Sequence, residues 1–130
     1  MAKIECFEDF AIWKTAREFC KDIARITNYD AFSKNFRLRD QIHASSGSIM
    51  DNIAEGFERS GNKEFIQFLY IAKGSCGEAR SQLYRALDYT YINHEEFTIL
   101  YQKAKELSQS IANFIKYLKQ SEFTGSKYKI

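Results

Sequence analysis

Apolar residues return at steps of three and four through most of this chain, and no proline interrupts them. Successive residues of an α-helix are turned by about 100°, so this spacing gathers oily side chains into one stripe. Without proline, such a stripe can run through several unbroken turns. Strand-rich folds, which need alternation at every second residue, are disfavoured. The strictest run is Phe97, Leu100, Ala104, Leu107, Ile111, Phe114 and Leu118, which predicts a helix over residues 94–120. Ahead of it, Asn93 and Glu96 have the spacing of a capping box. A second near-heptad run, Phe65, Leu69, Ala72, Cys76, Ala79, Leu83, Ala86 and Thr90, predicts a helix over 62–90, after the turn signal Ser60–Gly61–Asn62.

The first half of the chain is less regular. Phe10, Trp13, Ala16, Cys20, Ile23, Ala24 and Thr27 predict a helix over 9–28, with Asp9 as its N-cap and Asn28–Tyr29–Asp30 as a turn. A loop through Phe32 and Ser33 follows. Leu38, Ile42, Ser45, Ile49, Asn52 or Ile53, and Gly56 then predict a helix over 37–58. Gly47 and Gly56 each cost that helix about 1 kcal/mol relative to alanine, so packing should repay them. Beyond Ser121 the periodicity stops, and residues 122–130 read as a flexible tail.

Four helices with short connections make an all-α, antiparallel up-down-up-down four-helix bundle, with left-handed packing near about +20°. The 130 residues suit one domain, over 1–121, and the shares of hydrophobic (45%) and charged (28%) residues suit a soluble globular protein. With 11 Phe and 8 Tyr there is more ring surface than four slender helices easily hide, so part of it is expected at a subunit interface. A net charge of +2 gives no whole-molecule field for nucleic acid, so any basic patch must be local. Cys6, Cys20 and Cys76 are an odd, widely spaced set behind an N-terminus with no secretory pattern, which points to reduced thiols in the cytoplasm. No apolar run is long enough to span a membrane.

The segment from Ser48 to Arg59, with its Asn52–Ile53–Ala54–Glu55–Gly56 core, is followed by Phe65, Leu69, Ile71–Ala72, Gly74–Ser75 and Glu78. Together they resemble the four-helix-bundle proteins first noticed as reading frames in the intervening sequences of bacterial 23S ribosomal RNA genes. Phe10, Trp13 and Ala16 match that family's opening helix, and Leu38, Gln41 and Ile42 its second. Met50 departs from a position where the family commonly has proline, which should straighten the second helix here. The resemblance implies a homo-oligomeric ring, usually of five subunits, with no enzymatic activity. It also implies kinship with the accessory proteins of diversity-generating retroelements, which bind nucleic acid through a basic surface.

No catalytic, cofactor or metal residue is assigned. Di-metal bundles use two Glu-x-x-His motifs and two further glutamates. Here Asp40 and His43 have the i, i+3 spacing once, and His94 has no acid three residues before it. The cysteines form no zinc framework. No phosphate loop or nucleophile turn precedes a helix, and Ser45, Ser46 and Ser48 read as small packing residues. Gln41, Asn52, Glu55 and Arg59, with Ser75 and Glu78, form a polar cluster in which Asn52, Glu55 and Arg59 share one helix face. It can set helix register or a subunit interface, or it can be a ligand or nucleic-acid site. Two basic groups are candidates for nucleic-acid contact: Lys34, Arg37 and Arg39, and Lys116, Lys119, Lys127 and Lys129. The end of the fourth helix is expected beside the start of the second, so that both groups share one end and a ring multiplies them into a basic annulus. Lysines that only favour the helix dipole and solubility are the competing explanation.

The leading expectation is a non-enzymatic, self-assembling bundle that binds another macromolecule, with structured RNA ahead of a protein partner. The alternatives are a protein-interaction scaffold without nucleic-acid contact and, more weakly, a small-ligand carrier or enzyme using Asn52, Glu55 and Arg59.

Overall fold

The computed structural model describes residues 3–121 and 128–129, with side chains from Ile4 to Ser121. A two-residue strand β1 (Lys3–Ile4) and a 3-10 turn (Phe7–Asp9) lead into α1 (Ala11–Thr27), the short α2 (Asp30–Lys34), α3 (Phe36–Glu58), α4 (Asn62–Asp88) and α5 (His94–Gln120). A second two-residue strand, β2 (Tyr128–Lys129), pairs antiparallel with β1, Ile4 facing Tyr128. The four long helices pack in the order α1, α3, α4, α5, and α5 closes back onto α1. This is the antiparallel four-helix bundle expected from the periodicity. No helix among the described residues is long and apolar enough to cross a membrane.

The stripes of α4 and α5 face inward nearly as the sequence lays them out. Phe65, Leu69, Ala72, Cys76, Ala79, Leu83 and Ala86 are buried on α4, and Leu100, Ala104, Leu107, Ile111 and Leu118 on α5. On α3 it is Ile53, not Asn52, that enters the core beside Leu38, Ile42, Ile49 and Phe57. On α1 the inward face is turned from the expected one. Ile12, Ala16, Phe19, Ile23 and Ile26 are buried, while Trp13 is half-buried beside Phe7 and Ala24 points outward. That set keeps an unbroken four-three-four-three spacing and carries more apolar area than one built on Trp13, Cys20 and Ala24.

Three boundaries differ from expectation. Asp9 belongs to the 3-10 turn, and the N-cap of α1 is Phe10, with no side-chain hydrogen bond. The expected loop at 29–36 holds α2, whose Phe32 is fully buried and stacks on Tyr91 at 5.1 Å. A buried ring in a connection closes that end of the core, which a structureless loop could not do. Helix α4 stops at Asp88, and Thr90 takes φ 62°, with the Tyr91 N–H donating to the Ala86 carbonyl, the 6→1 bond of a left-handed helix cap. The Asn93–Glu96 capping box is present. Of the expected tail, residues 122–127 and 130 lie outside the described residues, while Tyr128–Lys129 pairs with β1.

Each end of the bundle has its own closure. At one end Phe10, Phe57, Phe65 and Phe114 interlock, with Phe10 5.3–5.7 Å from the other three, and Asn62 Nδ2 donates to the Leu118 carbonyl at 2.9 Å. At the other end the Tyr29 hydroxyl donates to Glu96, and Asn35 Nδ2 donates to the Tyr91 hydroxyl at 3.0 Å. The start of α3 therefore lies beside the start of α5, not beside its end. The expectation that the two basic groups share one end is overturned. In an up-down-up-down bundle the second and fourth long helices run the same way, so Lys34, Arg37 and Arg39 sit roughly 30 Å from Lys116 and Lys119.

Candidate functional site

The polar cluster runs along the seam between α3 and α4 as a series of separate rungs. Arg85 Nη1 donates to Gln41 Oε1 at 3.1 Å. Ser45 Oγ donates to Gln82 Oε1 at 2.6 Å, and Gln82 Nε2 reaches Glu78 at 3.4 Å. Ser75 Oγ donates to Ser48 Oγ at 2.9 Å, and Asn52 Nδ2 donates to the same hydroxyl at 2.9 Å and to the Ser48 carbonyl at 2.8 Å. Arg59 pairs with Glu55 at 2.8 Å, both side chains about half exposed, and its guanidinium lies 5.2 Å from the Phe68 ring. Asn52, Glu55 and Arg59 thus do not act as one patch: Asn52 belongs to the serine rung, and the ion pair stands at the rim in water. No buried charge is involved, so the desolvation cost that a buried pair would carry does not arise. The bonds between Gln41 and Arg85, Ser45 and Gln82, and Ser48 and Ser75 tie one helix to the other and fix their register.

The first basic group is largely neutralised by its own helices. Lys34 pairs with Asp30 at 3.4 Å; Arg39 pairs with Asp40 at 3.3 Å and lies 4.9 Å from the Phe36 ring. Arg37 is exposed. In the second group, Lys119 Nζ donates to the Tyr70 hydroxyl at 2.6 Å and sits 5.2 Å from its ring, and Lys116 is exposed. Lys127 lies outside the described residues, and only the backbone of Lys129 is described.

Lys116 and Lys119 turn out to belong to a longer surface that the sequence pattern did not reveal. On α4, Tyr70, Lys73, Gly77, Arg80 and Tyr84 recur at three-four spacing, outside the core stripe. On α5, Tyr101 and Lys119 contact this stripe, and Lys105 and Lys116 are exposed one turn from them, at four residues after Tyr101 and three before Lys119. Tyr84 packs on Phe97 at 4.7 Å and on Tyr101 at 5.5 Å, and the Arg80 guanidinium lies 5.9 Å from the Tyr101 ring. Among the described residues, Lys73, Arg80, Lys105, Lys116 and Lys119 make no ion pair with a carboxylate, and no acidic residue occupies these stripe positions. Arg80 Nε is buried without a hydrogen-bond partner. The signal was legible as a second, offset period on α4, but the stronger apolar stripe of the same helix masks it.

No group of three or more His, Cys, Asp or Glu among the described residues could hold a metal ion. Burial pushes the Cys76 thiol up to about 12, so it holds no thiolate near neutral pH. Cys20 is raised mainly by burial, and its thiol donates to the Ser46 carbonyl. His43 is held at 2.8 Å by Thr27. An apolar hollow between the start of α1 and the end of α5, lined by Phe10, Ile12, Phe114 and Tyr117, carries no charged group.

Comparison with known proteins agrees with this architecture. Among solved structures the chain is similar to a protein of unknown function from the S23 ribosomal protein family of Bacteroides thetaiotaomicron. The two share 24% identity and a TM-score of 0.76, over 82% of this chain and 99% of that one, a likeness that shows the fold. No curated protein matches the chain. The family description "23S rRNA-intervening sequence protein" matches residues 8–123. A match over nearly the whole bundle, on the helices that carry the Asn52–Gly56 motif, means that the chain belongs to the 23S rRNA-intervening sequence protein family.

Proposed function

We propose that this protein is a non-enzymatic, self-associating bundle that binds RNA through the face formed by α4 and α5. The observation that carries this reading is the set of five cations without carboxylate partners among the described residues, Lys73, Arg80, Lys105, Lys116 and Lys119, together with Tyr70, Tyr84 and Tyr101. Unneutralised cations on one face are the electrostatic footprint of a polyanion site, because each phosphate contact releases condensed counterions. A net charge of +2 does not oppose this, since the charge that matters is local: Lys34, Arg39 and Lys103 on other faces pair with Asp30, Asp40 and Asp22, while the cations of this face make no such pair among the described residues. The three free cysteines suit a reducing compartment, which favours the cytoplasm.

Filter retention of a structured RNA across a salt series tests the reading. Binding should weaken steeply with salt, and replacing Lys73 and Lys105 by Glu should lower affinity at least tenfold and flatten the slope by about 0.7–0.9 for each phosphate no longer neutralised. Replacing Lys34 and Arg39, already paired with Asp30 and Asp40, should change far less. No retention even at low salt would leave a protein-interaction scaffold as the better account.

Self-association rests on a separate observation. At Gly47 on α3 and Gly74 on α4, nothing among the described residues beyond the local helix backbone comes within 4 Å of where a Cβ would stand, so no packing described within the subunit repays their helix cost. Ile71, 52% exposed, lies one turn from Gly74. A neighbouring copy seated there would use both, and a ring of five, as the family resemblance implies, would repeat the basic face around its circumference.

A further inference from the structure

Resting on the RNA reading above, we propose that the α4–α5 face takes single-stranded rather than duplex nucleic acid, with one unpaired base stacked at Tyr84 and an adjacent phosphate held by Arg80. Tyr84 is 48% exposed, yet its ring packs on two rings of α5, Phe97 at 4.7 Å and Tyr101 at 5.5 Å, which also pack on each other at 5.4 Å. A half-exposed ring fixed by two others is a rigid stacking platform whose side-chain freedom is already spent. Arg80 sits beside it, 5.9 Å from the Tyr101 ring. It has no carboxylate partner among the described residues, and its Nε has no hydrogen-bond partner. The Nε is buried, so the contact falls to the two Nη nitrogens, of which Nη2 lies toward the open side at Gly77, and a guanidinium held over a ring with these donors outward is suited to a phosphate oxygen.

The rest of the face extends this anchor. Tyr70, also 48% exposed and bonded by Lys119, stands fourteen residues before Tyr84 on the same helix, about 21 Å away. Lys73 and Gly77 lie between them. Near Gly77 only Arg80 Nη2, at 3.7 Å, would approach a Cβ, so a nucleic-acid backbone meets no bulk there. Within a duplex the base faces are stacked on one another and unavailable, so aromatic platforms add nothing to its binding. Against a single strand each platform gains a stacked base.

The test is fluorescence anisotropy on the full chain with three labelled probes at one salt concentration: a roughly 12-nucleotide single-stranded RNA, its duplex, and a single strand of the same length carrying abasic positions. The inference expects the single strand to bind at least tenfold more tightly than the duplex, and the abasic strand to fall towards the duplex. Tyr84→Leu should cost the single strand about 5- to 150-fold, the range expected for the removal of one base stack, while Tyr84→Phe keeps the affinity and the duplex is unaffected by either. The abasic probe needs no variant, so the answer does not depend on how Tyr84→Leu folds. Equal binding of single strand and duplex, or an abasic strand bound as well as the intact one, overturns the single-strand inference and leaves RNA binding standing. Absence of binding to all three overturns both.

Discussion

A Cβ at Gly56 would stand 2.7 Å from Phe68 Cβ and 2.9 Å from the Phe65 ring, closer than atoms can approach. The α3–α4 contact therefore depends on that residue having no side chain. We predict that Gly56→Ala destabilises the fold by about 2 kcal/mol despite alanine's better helix propensity, because overpacking a tight core costs about 1–3 kcal/mol. Gly47→Ala, with open space around it within the subunit, should stabilise the dissociated subunit by up to about 1 kcal/mol while weakening self-association. Urea unfolding of the two variants checks both signs, and a Gly56→Ala as stable as the parent would contradict the packing account. Thr90 holds a left-handed backbone at φ 62°, which a β-branched residue adopts at a cost and glycine adopts freely. Thr90→Gly should gain about 1 kcal/mol, read as a higher thermal midpoint. The sequence singled out both glycines of α3 but not which one was sterically required, because that depends on two phenylalanines of another helix.

At the scale of elements, the Ser45–Gln82 rung shows how a helix pair is pinned. Both residues are buried, and Ser45→Ala would leave the Gln82 carbonyl without its donor. That change is expected to cost about 1–3 kcal/mol by chemical denaturation, the usual penalty of a stranded buried polar group. The α1–α2 corner is tied to α5 through Tyr29, whose hydroxyl donates to Glu96. That bond, first among its causes, raises the Tyr29 pKa above the ordinary phenol value. The neutral phenol is the donating form. The bond's contribution is therefore full below the unfolded pKa of about 10 and is withdrawn as pH rises through the folded value. Tyr29→Phe should accordingly be less stable than the parent at neutral pH, with the gap closing only in strong alkali; a gap that closes between pH ~6 and ~8 would contradict this assignment. Helices α4 and α5 were legible because their a and d positions carry an unbroken apolar run, even though Tyr70, Ile71, Tyr84 and Ile99 lie outside it. The face of helix α1 was not, since Trp13, Cys20 and Ala24 imitate a stripe that Ile12, Phe19 and Ile26 outweigh. Helix α2 was too short to show a period at all.

For the whole molecule, light scattering is the direct measurement of self-association. A mass several times 15.2 kDa is expected, and Ile71→Glu should lower it without unfolding the subunit, because Ile71 lies outside the core. A monomer at high concentration would overturn the assembly reading. The sequence by itself determined the number of long helices, most of their inward faces, the Asn93 cap and the all-α class, because helix formation and its apolar period are set by residues three and four apart. Tertiary structure alone decided which cations lack a carboxylate partner among the described residues and which rings meet them. It also set the two basic groups at opposite ends of the bundle. Those outcomes depend on side chains tens of residues apart in the chain, such as Tyr70 with Lys119 and Tyr84 with Phe97, brought together only when antiparallel helices pack in one register.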